Sequence, residues 1–183
     1  TSENEVIIEY TASTTKSTPV NLTNHTYFNL NGKGSVSEHS LYINADRILD
    51  TDKELRPSGD FIPLKGNSKD FSEEIKIQQT TLDDTFVLNE NTKIAASLYA
   101  PQTGIEMQVE TNQPSVVVYI PKELPRLWNY RTEISDAFPS ICMETQNFPD
   151  APNHANFPNS NLEPGEKYLN RSVFKFGIRD QEL

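Results

Sequence analysis

The sequence predicts an all-β protein, and more specifically an antiparallel β-sandwich, because its apolar residues recur at every second position. In the clearest case, Ile105, Met107 and Val109 alternate with acidic and amide residues, so their side chains would share one face of a sheet. Turn residues divide the chain into short segments, and turns about 8–12 residues apart are typical of sandwiches and barrels. Apolar spacing typical of helices is rare.

The individual strands can be predicted in chain order. Four further segments are predicted to be strands. Residues 5–10 and 115–120 are rich in β-branched side chains, and in residues 41–45 and 174–178 apolar side chains occupy every second position. Segments 93–100 and 105–111 are joined by a turn that contains Pro101 and Gly104. This arrangement predicts a β-hairpin.

Few segments depart from the strand pattern. A turn or short helix is predicted only at 70–75 and 127–134. Two long polar stretches, 49–69 and 147–171, are predicted to be loops, and the second contains four prolines, which remove backbone donors and fix local geometry. Because long loops within compact β domains often carry function, we expect segment 147–171 to contribute to a site.

Composition narrows the possible functions. The 183 residues include 16 Lys and Arg against 26 Asp and Glu, which gives a formal charge of −10 and suits one domain or one piece of a larger one. Such acidity disfavours nucleic acid and anionic membranes as partners. No apolar run approaches the roughly 20 residues that span a bilayer. A single cysteine, Cys142, excludes an internal disulfide and multi-cysteine metal sites.

Several weaker features of the sequence indicate the cellular compartment of the protein. The chain begins at Thr1, so we expect that a preceding part was removed or that the sequence is part of a longer protein. Its first residues are polar and acidic, unlike a secretory leader. Sequons at Asn21, Asn24 and Asn170 are expected by chance in a chain rich in Asn, Ser and Thr. The unpaired Cys142 favours a reducing compartment; a cytoplasmic location is therefore predicted, with secretion as the alternative.

His25 is the first candidate for chemistry. Imidazole is the side chain best suited to proton transfer near neutral pH, and His25 lies among short polar residues that could orient it. The alternative is a structural histidine whose hydrogen bonds are satisfied by those same neighbours.

Carboxylates supply the other candidates. Glu144 interrupts an apolar, strand-like run at 141–146, and partial burial there would raise its pKa toward a value useful for a general base. An outward-facing strand residue is the alternative. Asp83 and Asp84 are adjacent and would point to opposite sheet faces, or they are solvated turn residues. Together with many amides and hydroxyls, these groups suit a polar, neutral ligand such as a sugar.

Four groups of residues resemble the galactose mutarotase, or aldose 1-epimerase, family. They are NLTNHTYFNL at 21–30, SLYINADR followed by LRPSGDFIPLKG, LDDTFVL at 82–88, and METQNFPDAPNHANFP followed by LEPGEKY. The resemblance runs in the family's order from about residue 5 to residue 178, which is nearly the whole chain.

This resemblance implies a large antiparallel β-sandwich that interconverts the α and β anomers of a free hexose such as galactose or glucose, with no cofactor and no metal. Glu144 matches the general base that removes the proton of the C1 hydroxyl. His25 matches the general acid that protonates the ring oxygen, and Asp83 matches a carboxylate that binds sugar hydroxyls. Acid–base chemistry of this kind needs two groups with separated pKa values.

The resemblance also implies that part of the domain is absent. Family members are nearly twice as long, so residues 1–183 are expected to form the C-terminal part of one sandwich domain. A substrate-binding Arg and a second His belong to the missing N-terminal part. Half a sandwich would leave strand edges unpaired. We therefore expect association with that N-terminal half as a separate or cleaved chain, or self-association.

Some family positions differ in this chain. Thr81 and Asp84 stand where the family usually has Gly and His, and Ile120, Pro121 and Lys122 replace Thr-Gly-Asn. These differences support an alternative function, a non-catalytic sugar-binding or structural storage protein that keeps the fold.

Overall fold

The structure, a computed structural model, describes residues 3–90, 93–124 and 137–179. Strands dominate these residues, which confirms the predicted fold class. In chain order the strands are β1 (Glu5–Ala12), β2 (Thr18–Pro19), β3 (Tyr27–Phe28), β4 (Ser40–Ile43), β5 (Ala45–Thr51), β6 (Pro57–Pro63), β7 (Ile75–Lys76), β8 (Leu82–Leu88), β9 (Ala96–Ala100), β10 (Ile105–Thr111), β11 (Ser115–Ile120), β12 (Ile141–Gln146), β13 (Asn161–Leu162) and β14 (Tyr168–Ile178).

The strands form two six-stranded antiparallel sheets and a small two-stranded one. The first sheet has the order β1-β14-β10-β9-β4-β7, the second has the order β3-β12-β11-β8-β5-β6, and β13 pairs with β2. One apolar cluster joins the two large sheets, with Met107 and Val109 from the first and Val116, Val118 and Met143 from the second, all fully buried. The sheets therefore pack face to face as a sandwich.

The period-two pattern identified the core faces well. Leu41, Ile43 and Ala45 are all buried, as alternation predicts. The pattern fails at the end of β14, where Phe174 is buried but Ile178 is 72 % exposed. Ile178 pairs with Ile105 at the end of β14, and it is not part of the apolar core that the described residues form.

The predicted hairpin is also confirmed. Ala100 and Ile105 are directly paired at the ends of β9 and β10. Gly104 has a φ of 71°, and its amide donates to the Ala100 carbonyl at 2.9 Å. Glycine adopts this left-handed conformation without a steric penalty.

Two sequence predictions need correction. Segment 49–69 is not a loop, because it includes the end of β5, a short turn and the whole of β6. Pro57 and Pro63 obscured this hairpin, but β6 is an edge strand, where proline is tolerated. Segment 70–75 contains bends that lead into β7 and no helix. The predicted turn or helix at 127–134 lies outside the described residues.

Segment 147–171 is irregular over most of its length, as predicted. It contains a short 3-10 helix, Ala151–Asn153, and the two residues of β13 before it enters β14. Phe148 and Phe157 from this segment pack against Phe61 of β6, with ring centroids 6.3 and 5.9 Å away. This second apolar cluster fastens the segment to the outer side of the second sheet.

The described part of the chain contains no helix that is long and apolar enough to cross a membrane.

Candidate active site

One face of the second sheet carries a row of polar and aromatic side chains. Asp83 of β8 is paired with Tyr119 of β11. Tyr119 is also paired with Cys142 of β12, which in turn is paired with Tyr27 of β3. Because directly paired residues project on the same side of an antiparallel sheet, these four side chains lie side by side on the face opposite the core.

His25 and Glu144 meet next to this row. The β3–β12 pairing ends at Tyr27 and Cys142, and the same register continued for two residues places His25 opposite Glu144. Nε2 of His25 lies 3.3 Å from Oε1 of Glu144, with 50 % and 12 % of the two side chains exposed. The structure thus brings together the two residues predicted to act as acid and base, and Glu144 faces this site rather than open solvent.

Side chains take the place of strand pairing in the segment that leads to His25. Asn21 donates through Nδ2 to the Asn147 carbonyl and accepts from the Asn147 amide, both at 2.9 Å. The Thr23 hydroxyl donates to the Thr145 carbonyl at 3.0 Å. The short polar neighbours of His25 therefore hold its backbone against β12 and leave the imidazole free to face Glu144.

Two tyrosine rings flank the imidazole. The ring centroid of His25 lies 4.9 Å from that of Tyr27 and 5.9 Å from that of Tyr119, the latter edge to face. Aromatic neighbours restrict the orientations that the half-exposed imidazole can take.

The surroundings of Glu144 favour a stronger base than an ordinary carboxylate. Burial raises the pKa of Glu144, the adjacent His25 lowers it, and the charge of Asp83 raises it again. Val117, the cross-strand partner of Glu144, adds an apolar neighbour on one side. Desolvation disfavours the charged form, so the carboxylate holds a proton more readily than it would in water.

Asp83 and Asp84 divide between the two faces of β8, as the sequence predicts. Burial raises the pKa of Asp83, the charge of Asp84 adds to that effect, and His25 and Lys69 oppose it. Asp84 accepts from Nζ of Lys69 at 2.7 and 2.8 Å. Asp83 therefore lies exposed on the sheet face that carries Glu144, whereas Asp84 is part of a separate ion pair. Both are strand residues, so the turn assignment is wrong, although Asp83 is exposed as that alternative predicts.

A cleft of about 440 Å³ adjoins this site and is lined in part by Asp83, Tyr119 and Lys122. Its volume is within the range of about 300–1,000 Å³ of small-molecule sites. The cleft reaches the site through Asp83 and Tyr119, and neither His25 nor Glu144 lines it. A larger cleft of about 570 Å³ lies elsewhere, beside Arg47 and Gln113.

Cys142 lies beneath the acid–base pair. Its side chain is buried, and burial with the nearby Glu144 charge raises the pKa of the thiol to about 12. Ligand atoms of His25, Cys142 and Glu144 all lie within 4.8 Å of one another, so these three residues could hold a metal ion. A cation there would have to displace the proton of this buried thiol.

The two other histidines serve the fold. His39 is fully buried, and its Nε2 accepts from the Leu30 amide at 3.2 Å. Burial lowers the pKa of His39 to about 4. His154 stacks near Phe157 and lies 3.3 Å from Asp150 in segment 147–171.

Sequence reasoning missed the aromatic and thiol neighbours of the pair. Tyr27 lies two residues after His25 and Cys142 two residues before Glu144, so alternation along two facing strands could have placed them on one face. No comparable local pattern indicates Tyr119, which reaches the site through pairing of strands distant in sequence.

The fold and the site together define a β-sandwich protein with an imidazole–carboxylate pair on one exposed sheet face. The family described as Aldose 1-epimerase matches residues 1–175. The chain belongs to this family.

Individual relatives agree with this assignment. The chain is 34 % identical to galactose mutarotase of Rattus norvegicus over 95 % of its own length and 54 % of that protein. It is also 34 % identical to aldose 1-epimerase of Haemophilus influenzae over 96 % of its length and 56 % of that protein. The chain therefore spans about half the length of the curated relatives that it matches.

Solved structures show the same fold. An aldose epimerase homologue from C. elegans superposes with a TM-score of 0.90 and 27 % identity, covering 97 % of this chain and 57 % of that one. Galactose 1-epimerase from Lactobacillus acidophilus gives a TM-score of 0.80 and 26 % identity, with 97 % and 55 % coverage.

Proposed function

We propose that this chain carries the acid–base pair of an aldose 1-epimerase that interconverts the α and β anomers of a free hexose. The observation that carries the proposal is the 3.3 Å separation of His25 Nε2 and Glu144 Oε1. In a cyclic aldose, the ring oxygen and the C1 hydroxyl oxygen are bonded to the same carbon. An acid and a base that serve these two oxygens must therefore lie close together.

Glu144 acts as the general base in the ring-opening step. It removes the proton of the C1 hydroxyl while His25 donates a proton to the ring oxygen, and the C1–ring oxygen bond breaks. The aldehyde group then rotates, and reclosure on its other face gives the opposite anomer. The raised pKa of Glu144 supports the role of base, since proton transfer is most efficient when the pKa approaches the operating pH.

Asp83 and the adjoining cleft position the rest of the sugar. The charge of Asp83 raises the pKa of Glu144, so the two carboxylates lie within electrostatic reach across the sheet. A carboxylate accepts up to about four hydrogen bonds, which suits the vicinal hydroxyls of a hexose. In this arrangement Asp83 binds substrate and takes no part in proton transfer at C1.

Association with further polypeptide is part of the proposal. Strand β1 is an edge strand, and its Val6 and Ile7 are 51 % and 41 % exposed. Val6, Phe176 and Ile178 line an apolar hollow of about 490 Å³. Exposed apolar edges favour pairing with another chain. We propose that polypeptide equivalent to the half of the relatives not covered here binds at this edge.

Native mass spectrometry tests that association. The proposal predicts a complex heavier than the chain itself, and replacement of Val6 by Lys should weaken it. A complex of identical chains would indicate self-association instead. A monodisperse, folded species of 20.7 kDa would contradict both.

A non-catalytic sugar-binding protein is the second candidate. Lys122 lines the same cleft as Asp83, at a position where the sequence departs from the family pattern. Exchange spectroscopy by NMR on galactose distinguishes the two functions. Catalysis predicts magnetisation transfer between the anomers that disappears in His25→Gln. Galactose binding without magnetisation transfer would support the second candidate. A protein that shows neither binding nor transfer would contradict both functions.

A further inference from the structure

One buried asparagine links the segment that carries His25 to the strand that carries Glu144. Asn170 lies on β14 in the other sheet, and only 1 % of it is exposed. Its Nδ2 donates to the Leu22 carbonyl at 2.7 Å and to the Thr145 carbonyl at 2.9 Å. Leu22 precedes His25 by three residues, and Thr145 directly follows Glu144.

The chemistry of this contact requires a primary amide. Both partners are carbonyl oxygens, which only accept, and the amide nitrogen offers one hydrogen to each. Rotating the amide by half a turn would direct Oδ1 at two other oxygens, so its orientation is determined by the contacts. The oxygen instead accepts from the Ser172 hydroxyl at 3.4 Å.

Side chains rather than strand pairing hold the His25 segment in place: Asn21 bonds the backbone of Asn147, and the Tyr168 hydroxyl accepts from the Leu22 amide. Backbone pairing ends at Tyr27, and residues 20–26 form no strand. The Thr23 hydroxyl donates to the same Thr145 carbonyl, at 3.0 Å. Side-chain donors from two segments thus converge on one carbonyl beside Glu144.

We propose that Asn170 is a positioning residue that sets the separation between His25 and Glu144. Its consequence for catalysis rests on the function proposed above, whereas its effect on the geometry of the pair can be measured without activity. Asn170 touches neither reacting group. It acts by fastening both of their backbones to a single buried amide.

The test measures how strongly His25 acts on Glu144. Side-chain carboxyl signals of ¹³C-labelled glutamate, with Glu144 assigned through Glu144→Gln, report the pKa of Glu144. His25 lowers this pKa, while Asp83 raises it, and Cys142 and Tyr119 stay neutral in the relevant range because burial raises the pKa of each. The rise in the pKa of Glu144 caused by His25→Gln therefore measures the effect of His25 alone on this carboxylate.

This shift should shrink when Asn170 is replaced by Leu, which has a similar size and no donor. Coulomb energy varies inversely with distance, so a doubled separation would leave about half of the shift. Asn112→Leu is the matched control. Asn112 likewise donates to a carbonyl of β14, that of Leu169 at 3.1 Å, but it lies away from the pair.

Thr23→Val provides a second variant if Asn170→Leu does not fold, since it removes one hydroxyl and keeps the shape. It should reduce the His25 shift in the same direction. If the folded variants keep the full shift, Asn170 has no positioning role.

Activity gives an independent readout. In Asn170→Leu, kcat for mutarotation should fall on the order of 100-fold, as expected for displaced catalytic groups, with little change in KM. An unchanged kcat would contradict the catalytic consequence. If the wild-type protein shows no mutarotation but the shift still depends on Asn170, the proposed function fails and the positioning role stands.

Discussion

His25 Nε2 lies 3.3 Å from Glu144 Oε1, although His25 belongs to no strand and Glu144 is part of β12. The short β3–β12 pairing gives the register, and hydrogen bonds from Asn21 and Thr23 continue it past the last paired residue. A mobile loop would hold an acid less accurately than this edge-bound segment. The geometry of the proposed reaction therefore depends on side-chain contacts outside the strand ladder.

The charges around Glu144 predict a pH dependence with a definite sign. Because burial raises the pKa of Glu144, the acidic limb of the kcat/KM profile should lie above the ordinary value for glutamate. Asp83→Asn removes a charge that raises this pKa, so it should move the limb to lower pH. Steady-state kinetics across the acidic range measure it, and a shift to higher pH in Asp83→Asn would contradict the electrostatic assignment.

His39 predicts a loss of stability at mildly acidic pH. Its pKa is about 4 in the folded protein instead of 6.5, so between these values the unfolded state binds a proton that the folded state does not. Stability should fall by about 3 kcal/mol as pH decreases from 6.5 to 4. Urea unfolding across this window measures the slope.

His39→Gln is the control for that slope. The amide oxygen of Gln can accept from Leu30 as the imidazole does, but it does not titrate. The variant should lose the part of the slope assigned to His39. Parallel curves for the two proteins would show that other groups cause the acid sensitivity.

Replacing Gly59 by alanine should destabilise the protein more than the same replacement at a glycine with open space around it. A Cβ at Gly59 would lie 2.9 Å from Nδ1 of His154, whereas one at Gly66 would meet nothing within 4 Å. Both glycines have positive φ, 96° and 79°, so the backbone strain of Ala is common to both. Gly59→Ala should therefore cost about 1–3 kcal/mol more than Gly66→Ala.

Thermal melts of the two alanine variants compare these costs. Equal losses would mean that His154 moves away easily and that segment 147–171 is not packed firmly on β6.

The strand faces could be predicted because burial follows a local period of two. Met107 and Val109 needed no knowledge of their partners to be assigned to the core. Hairpin β5–β6 was missed because Pro57 and Pro63 are typical of loops, and only the position of β6 at a sheet edge makes them acceptable. That position is a property of the whole sheet.

The candidate site could likewise be predicted only in part from the sequence. Residue type made His25, Glu144 and Asp83 candidates, the family resemblance assigned their roles, and adjacency placed Asp84 on the other face of β8. Tyr119 and Asn170 reach the site from strands whose pairing depends on tertiary structure. Local sequence carries no record of such contacts, so only the folded chain reveals them.

Polarimetry on freshly dissolved α-D-galactose tests the central claim most directly, with Glu144→Gln compared with Glu38→Gln. Glu38 is an exposed carboxylate paired with Lys76, so its replacement leaves the site intact. Loss of the general base should slow mutarotation by about 10²–10⁴-fold in Glu144→Gln, while the wild type and Glu38→Gln remain equally fast. A Glu144→Gln protein as fast as the wild type, or a wild type no faster than buffer even in complex with the polypeptide equivalent to the N-terminal half of its relatives, would contradict the account.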